Sequence, residues 1–331
     1  MSNPPPIFAF GFERSGTTLL SAILDAHPLI AVPYSTSGFW SRYLQRNDRD
    51  SYAVDQLGHL NKLLANPSLQ RLNTRINGRT LLNSLCEFTD DEIFLNFHRL
   101  YAKEKDKKLF INFEISIIDH MHIYYKKFTS AKFIHLVRDG RDVALSHETM
   151  PYGSANVLFC ADHWSKRVSC NLKMGSMLDS DHYHIVRYED IILEPHSTLR
   201  KLCNFLEIDF SDNMLLFYDK VPGRIPTDRI WLWPQIGSPL DRANAYRWRN
   251  AMPRYKRIIF ERRAFALLDE LGYECFHPLP RSVPASLAEQ WYFASGSRLG
   301  RRLLGSFGYR PASELERRAG AGRFVRAEHS A

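Results

Sequence analysis

A glycine-bearing turn near the start of the sequence carries one arginine and three hydroxyl side chains. The segment Gly11–Thr18 reads GFERSGTT, which has the G-x4-G-x-[ST] spacing of a nucleotide P-loop. Thr17 stands where that motif has its lysine, and Arg14 supplies a cation three positions earlier. The backbone amides of such a turn, with the positive end of the following helix, bind a tetrahedral oxyanion. The segment therefore predicts an anion site that lacks the lysine of metal-dependent kinases.

A second group of charged and hydroxyl residues lies between positions 138 and 146. Arg138 follows the apolar run KFIHLV, and Ser146 stands eight residues later in a predicted helix. An arginine at the carboxyl end of a parallel strand faces the ligand crevice, and a serine two helical turns on points back to it. This spacing is suited to a second anion, although it also occurs in surface capping. The turn and the helix N-cap are assigned to Asp139, Arg141 and Asp142.

The elements that must position these residues alternate between strands and helices. Ile7–Phe10 is a short apolar run, and Thr17–Ala26 has the apolar spacing of a helix face that ends at His27-Pro28. Further strands are predicted at Leu109–Phe113, Lys132–Val137 and His182–Tyr188, with helices at Asp142–Glu148, after Pro195 and at Arg257–Leu271. This alternation predicts an α/β fold with a P-loop-type parallel sheet flanked by helices. Residues 40–105 are a predicted helical insertion that forms a cap over the site.

Three stretches of the sequence together resemble a known family. GFERSGTTLL and HLVRDGRDVALS are similar to the 5′-phosphosulfate loop and the 3′-phosphate motif of sulfotransferases that use 3′-phosphoadenosine 5′-phosphosulfate (PAPS). IVRYEDIILEPHSTLRKLCNFLEI resembles the segment that follows in bacterial and tyrosylprotein-type members. The resemblance extends from about Ile7 to Tyr273, and it implies transfer of a sulfuryl group from PAPS to a hydroxyl or an amine of an acceptor.

The resemblance also assigns binding residues. It implies that the 5′-phosphosulfate is held by Arg14, Ser15, Gly16, Thr17 and Thr18, and the 3′-phosphate by Arg138 and Ser146. Tyr188 matches a position near the nucleotide. The string PLDRANAYRWRN is similar to a late loop over the nucleotide, which would bring Arg247 and Trp248 near the adenosine or its phosphates. No metal ion is implied.

The catalytic base is where the sequence departs from the family. Tyrosylprotein-type relatives have a glutamate where this chain has Ser35, and a lysine on the strand that here reads INFEI. Transfer to a hydroxyl needs a base for the acceptor proton and a cation near the leaving phosphate. Arg14 is the predicted cation and Glu114 the predicted base, with a solvated strand-end carboxylate as the alternative interpretation of Glu114. Glu13 and His120 are further candidate bases.

Composition limits the other functions. The formal charge is +8, of which +5 comes from nine arginines and four glutamates in residues 277–331, so no basic stripe for nucleic acid is predicted in residues 1–276. Five scattered cysteines predict reduced, mostly buried thiols and neither a disulfide framework nor a zinc site. The first residues lack a secretory signal and no apolar run of about 18 residues occurs, so a cytoplasmic location is expected.

Two domains are predicted: a sulfotransferase domain over residues 1–276 and a basic extension over 277–331. Residues 287–307 of the extension have the pattern of a basic amphipathic helix, which suits peripheral membrane contact or docking on the core or a partner subunit. Nothing in the sequence indicates the oligomeric state. The acceptor stays open among small molecules, carbohydrates, lipids and peptides. The alternatives to an active enzyme are a catalytically silent PAPS-binding protein and a P-loop kinase variant.

Overall fold

The computed structural model describes residues 4–34, 38–45, 55–150, 156–221, 233 and 235–276. The basic extension 277–331 and Ser35 lie outside the described residues. The predicted boundary between residues 276 and 277, and the tail's role, therefore stay predictions. In the described part of the chain, no helix is long and apolar enough to cross a membrane.

Five parallel strands form one sheet. They are β1 (Ile7–Gly11), β2 (Ile30–Ala31), β3 (Leu109–Phe113), β4 (Lys132–Val137) and β5 (Tyr183–Arg187). The strand order is β2-β3-β1-β4-β5, so the first strand is central. Ile7 aligns with Ile111 of β3 on one side and with Lys132 of β4 on the other. The predicted α/β class with a parallel sheet flanked by helices is confirmed.

Thirteen α-helices lie in the described residues. They are α1 (Thr17–Ala26), α2 (Phe39–Leu44), α3 (Gln56–Leu64), α4 (Pro67–Gln70), α5 (Gly78–Leu82), α6 (Asp90–Glu104), α7 (Met121–Lys127), α8 (Gly140–Glu148), α9 (Val157–Gly175), α10 (Tyr188–Leu193), α11 (Pro195–Phe205), α12 (Trp248–Ala251) and α13 (Arg254–Glu270). Three 3₁₀ segments lie at Ile115–Asp119, Asp212–Lys220 and Arg242–Asn244. The described part of the 40–105 insertion is helical, as predicted.

The core strands are buried because their sequences are continuously apolar. Every residue of β1 and of β4 is buried, which is typical of strands covered on both faces by helices. Gly11 ends β1 in close contact with β4, and a Cβ atom there would lie 2.6 Å from the carbonyl oxygen of Leu136. Glycine at this position therefore lets the two strands approach where the next loop begins.

The chain forms two compact units. The first unit is Met1–Val137 with Cys170–Ala245, and it contains the whole sheet and the helical insertion. Its core includes a cluster of stacked and edge-on rings in which Trp40, Phe94 and His98 lie within 5.3 Å of one another, centroid to centroid. This cluster packs α2 of the insertion against α6 and joins the Phe8 ring of β1 through Phe94.

The second unit is Arg138–Ser169 with Tyr246–Ala331, described here as far as Phe276. Its centre is the fully buried guanidinium of Arg141, which donates to both carboxylate oxygens of Asp139 and to Glu261 Oε1 at 2.6 Å. The same guanidinium lies 3.5 Å from the ring centroid of Trp248. Asp139 also caps α8 by accepting from the Arg141 backbone N–H, so its predicted structural role is confirmed.

The expectation of mostly buried thiols is wrong in detail. All five cysteines are free, but Cys86 and Cys170 are exposed and Cys275 is half-buried. The reason is that Cys86 follows the short helix α5 in a surface turn, and Cys170 faces outward on α9.

Candidate functional site

The predicted anion loop connects β1 to α1. Ser15 N–H donates to the Phe12 carbonyl at 3.1 Å, which closes a tight turn. Arg14 and Gly16 both have left-handed backbone conformations, with φ of 66° and 95°. A positive φ is unusual at arginine and costs free energy, and such residues concentrate in binding loops where consecutive N–H groups form an anion-binding concavity.

Ser15 places a buried hydroxyl in this loop. Its side chain is completely buried, and its Oγ has no hydrogen-bond partner among the residues that the structure describes. Leaving a buried hydroxyl without a partner costs about 1 to 3 kcal/mol, so such groups are normally satisfied by water or a ligand. The loop therefore offers a polar atom to a bound group.

Tyr188 lies directly against this loop. It is the first residue of α10, immediately after β5, and a Cβ atom on Gly16 would lie 2.4 Å from Cδ2 of its ring. Only glycine fits between the loop and this ring. The structure thus brings together two of the sequence motifs, the GFERSGTT loop and the RYED string, within the first unit.

The second predicted anchor lies in the second unit. Arg138 is the residue after β4, and its mostly buried side chain forms an ion pair with Asp142, with Nη2 3.8 Å from Oδ2. Ser146 is half-buried and lies on α8 two turns after the Asp139 cap. Asp142 Oδ1 accepts from the Trp248 backbone N–H at 2.7 Å, so α8 and α12 are joined at this point.

The structure corrects the interpretation of Trp248. Its ring was expected near the adenosine, but it is fully buried and stacks on the Arg141 guanidinium, because that desolvated cation is stabilised by an aromatic face. Arg247 is exposed and precedes α12, so its side chain is accessible to a ligand.

Glu114 is buried rather than solvated. Only 2% of the residue is exposed, and Oε2 accepts from the backbone N–H and the Oγ of Ser41 at 3.2 and 3.1 Å. The interpretation as a solvated strand-end carboxylate is therefore wrong, since α2 covers the end of β3. Of the other candidate bases, Glu13 is exposed and His120 is half-buried between the 3₁₀ segment and α7.

Two hydrogen-bond partners of Glu114, Ser41 and Ser116, and the tyrosine bonded to Ser41 were not predicted from the sequence. Ser41, Ser116 and Tyr124 form a hydrogen-bonded cluster with the carboxylate. Ser41 is 73 positions away in the chain, so no local pattern signals this contact. The Glu-x-Ser spacing at the end of a strand was the one local signal, because it places Ser116 close to the carboxylate.

Among the described residues, no group of three or more His, Cys, Asp or Glu side chains is arranged to hold a metal ion. The strand, glycine-bearing turn and helix on a parallel sheet define a P-loop-type α/β protein.

A family model described as "Sulfotransferase family" matches residues 5–212, and the chain belongs to this family. Protein-tyrosine sulfotransferase of Drosophila melanogaster is 23% identical over 244 residues, which cover 68% of this chain and 43% of that protein. Protein-tyrosine sulfotransferase 1 of Danio rerio is 26% identical over 229 residues, covering 64% of this chain and 55% of that protein. The chain spans about half the length of these curated relatives.

Solved structures of other proteins have a similar fold. The sulfotransferase domain from the Synechococcus PCC 7002 olefin synthase superposes with a TM-score of 0.56 at 22% identity, covering 83% of this chain and 97% of that one. The sulfotransferase domain from the curacin biosynthetic pathway has a TM-score of 0.54 at 19% identity, covering 83% and 100%. The predicted family and fold class are confirmed, while the individual binding residues stay predictions.

Proposed function

We propose that the protein transfers a sulfuryl group from PAPS to a hydroxyl of an acceptor. The buried, partnerless Oγ of Ser15 in a turn with two left-handed residues is the observation that carries this proposal. A turn of this kind in a sulfotransferase family member suits the tetrahedral end of the donor. Its lack of a P-loop lysine also suits a sulfuryl group, which carries less charge than a phosphoryl group.

Each anchor is proposed to bind one anionic group of the donor. In this proposal the 5′-phosphosulfate lies on the loop and contacts Arg14, Ser15, Gly16, Thr17 and Thr18. Arg138 and Ser146 bind the 3′-phosphate, and Tyr188 and Arg247 lie near the nucleotide. The Tyr188 ring supports the loop by packing against Gly16. A guanidinium that is mostly buried, as at Arg138, forms stronger bonds to phosphate than an exposed one.

The reaction would be an in-line displacement at sulfur. The acceptor oxygen forms a bond to sulfur as the bond between sulfur and the phosphate oxygen breaks, and adenosine 3′,5′-bisphosphate leaves with that electron pair. Arg14 stabilises the charge that grows on the leaving phosphate. Glu114 is the proposed base, at the end of the strand that neighbours β1.

A phenol is the first acceptor to test. Two curated relatives are named protein-tyrosine sulfotransferases, and a tyrosine side chain is a phenol. The helical insertion, including α2 beside Glu114, is the proposed acceptor-binding part of the chain. The insertion lies outside the three sequence segments that resemble the family. Measurement must therefore identify which hydroxyl compound is the acceptor.

The donor assignment predicts a ligand-specific effect of Arg138. In calorimetric titrations, the parent protein binds adenosine 3′,5′-bisphosphate more tightly than adenosine 5′-phosphate, because only the former has the 3′-phosphate. Arg138→Ala weakens binding of the bisphosphate about 10- to 100-fold and changes binding of the monophosphate by less than about 3-fold. The matched control is Arg263→Ala, which removes an exposed arginine that pairs with Asp162 in the same unit.

Equal affinity of the parent for the two nucleotides would exclude the proposed 3′-phosphate anchor. Transfer of labelled sulfate from PAPS to phenol or to a cell extract then tests the chemistry. Tight binding without any transfer would indicate a catalytically silent PAPS-binding protein, and magnesium-dependent ATP turnover would indicate a kinase variant.

A further inference from the structure

Four side chains form a hydrogen-bonded cluster at the carboxyl end of β3. Glu114 Oε2 lies 3.1 Å from Ser41 Oγ and 3.4 Å from Ser116 Oγ. Ser41 Oγ lies 2.7 Å from Ser116 Oγ and 2.8 Å from Tyr124 Oη. Ser41 is therefore the central member, in contact with all three others.

Exposure within the cluster is uneven. Ser41, Glu114 and Tyr124 are each at most 2% exposed, whereas Ser116 is half-buried. The side chain of Ile115, next to Ser116, is 41% exposed. Within this cluster, Ser116 is thus the member that a small molecule at the protein surface can reach. The carboxylate itself lies behind it.

The numbers of donor and acceptor sites on these groups determine which hydroxyl donates to which. Burial, and then the charge of Glu114, raise the pKa of Tyr124, so the phenol keeps its proton, and it is hydrogen-bonded to Asn112 as well as to Ser41. A serine hydroxyl has one donor and two acceptor sites, and an ionised carboxylate only accepts. Ser41 therefore donates its one proton to Glu114 Oε2 at 3.1 Å and accepts from Ser116 at 2.7 Å, which is a shorter contact than the 3.4 Å from Ser116 directly to Oε2. The hydroxyl chain runs from Ser116 through Ser41 to the carboxylate.

The cluster also lies beside the strand that leads into the anion loop. Phe113 aligns with Ala9 of β1, and the Glu114 N–H donates to the Ala9 carbonyl at 3.1 Å. Gly11, where the loop begins, is two residues further along β1. The carboxyl ends of adjacent parallel strands form the ligand edge of such sheets.

We infer that the acceptor's proton reaches Glu114 through the hydroxyls of Ser116 and Ser41. This inference rests on the proposed function and deepens it. As the acceptor oxygen bonds to sulfur, its proton passes to Ser116 Oγ. The Ser116 proton moves to Ser41 Oγ, and the Ser41 proton moves to Glu114 Oε2. Each serine ends the step with one proton, and Glu114 ends it neutral and later releases its proton to solvent.

Acceptors of different acidity test this proton transfer through two serine hydroxyls, which is called the relay from here on. At about pH 8.5, 4-nitrophenol is ionised and needs no base, whereas phenol keeps its proton and needs one. Ser116→Ala is expected to lower kcat with phenol by about 10²-fold, with the affinity for adenosine 3′,5′-bisphosphate unchanged. The same variant should transfer to 4-nitrophenol within about 2-fold of the parent rate, since that acceptor has no proton to give.

Companion variants separate a relay from a structural role. Ser116→Thr keeps a hydroxyl and should retain most of the phenol activity, and Glu114→Gln should show the same loss with phenol alone. Ser176→Ala is the matched control, because the exposed Ser176 hydroxyl donates to the Lys173 carbonyl just after α9, and the backbone N–H that bonds to Leu172 is kept. Equal losses with both acceptors in Ser116→Ala would indicate distortion of the site and overturn the relay.

The remaining outcomes are also decisive. Parent-like phenol transfer by Ser116→Ala would overturn the relay while leaving the proposed function standing. Transfer by the parent to neither phenol would remove the relay along with this acceptor class, and nucleotide binding in the same samples would then report on the donor site separately. Failure of the parent to bind adenosine 3′,5′-bisphosphate would remove the proposed function itself.

Discussion

The surroundings of Asp142 disfavour ionisation of its carboxyl group. Burial raises the pKa of Asp142 to about 6, and the nearby carboxylate of Asp139 adds to this. Arg138 and the backbone N–H groups of Trp248 and Arg247 act in the opposite direction but do not cancel it. Oδ2 has no hydrogen-bond partner in the described part of the chain, which agrees with a group that is costly to ionise.

This pKa predicts a pH-dependent effect of Asp142→Asn. The folded protein holds this proton up to about pH 6, whereas the unfolded chain releases it near pH 3.8, so ionisation removes stability as the pH rises between these values. The variant cannot ionise and keeps an Oδ1 acceptor for Trp248. Relative to the parent, its free energy of unfolding should therefore increase by roughly 2 kcal/mol from pH 4 to pH 7. Urea titrations at several pH values measure this difference.

A constant difference between variant and parent across that range would show that Asp142 titrates normally. The comparison of the two proteins is needed because other carboxylates change the stability of both in the same range. The difference isolates the single group.

Residue roles were predictable where they depend on local sequence and were missed where they depend on distant contacts. The cap at Asp139 follows from its place before α8, and it is present. The burial of Trp248 on Arg141 and of Glu114 under Ser41 depends on residues 107 and 73 positions away. A single sequence carries no signal for such pairs, so Trp248 was placed near a ligand and Glu114 was given a solvated alternative.

At the scale of elements, one cation holds together several parts of the second unit. Arg141 at the start of α8 bonds to Glu261 of α13 and to the Glu274 carbonyl after that helix, and it stacks on Trp248 of α12. Arg141, Asp139 and Glu261 are all fully buried. A buried network of this kind is costly to break because each remaining charge is left without compensation.

Arg141→Met is therefore expected to lower the free energy of unfolding by about 3 to 5 kcal/mol, because it leaves two buried carboxylates uncompensated. Arg249→Met is the matched control, since Arg249 pairs with Glu274 at 50% and 55% exposure and its loss should cost at most about 1 kcal/mol. Guanidinium titrations of both variants give the comparison. Similar small losses would mean that the Arg141 network contributes little to stability.

Element boundaries were predicted best where an apolar run, a glycine or a proline marks the end of the element. The apolar run KFIHLV gives β4 at Lys132–Val137, and the Gly16 and His27-Pro28 boundaries give α1 at Thr17–Ala26, both as predicted. β5 was predicted as His182–Tyr188, but the strand is Tyr183–Arg187 because Tyr188 already begins α10. The pairing order of the strands was not predicted, since it depends on crossovers that periodicity does not reveal.

At the scale of the whole molecule, two neutral histidines make the fold sensitive to acid. Burial lowers the pKa of His98 to about 4 and that of His135 to about 3. Both stay neutral in the folded protein, whereas the unfolded chain binds protons near pH 6.5. Stability is therefore lost as the pH falls below about 6.5, by roughly 2 kcal/mol per histidine at pH 5.

His98→Phe should reduce this acid sensitivity. The histidine ring lies among the rings of Trp40, Phe94, Phe97 and Phe110, so a phenyl ring fits the same aromatic cluster without titrating. Thermal unfolding of variant and parent between about pH 5 and pH 7 should show a shallower decline for the variant. Parallel declines would mean that His98 is protonated in the folded state.

The central position of β1 has a consequence for the order in which the protein is made. This strand and the anion loop after it are translated before β3 and β4, but Ile7 pairs with Ile111 and Lys132 of those strands. Until then the nascent chain carries an apolar strand with both edges open, and contacts so distant in sequence form slowly. Aggregation through these open edges is therefore expected to compete with folding until β3 and β4 have been translated.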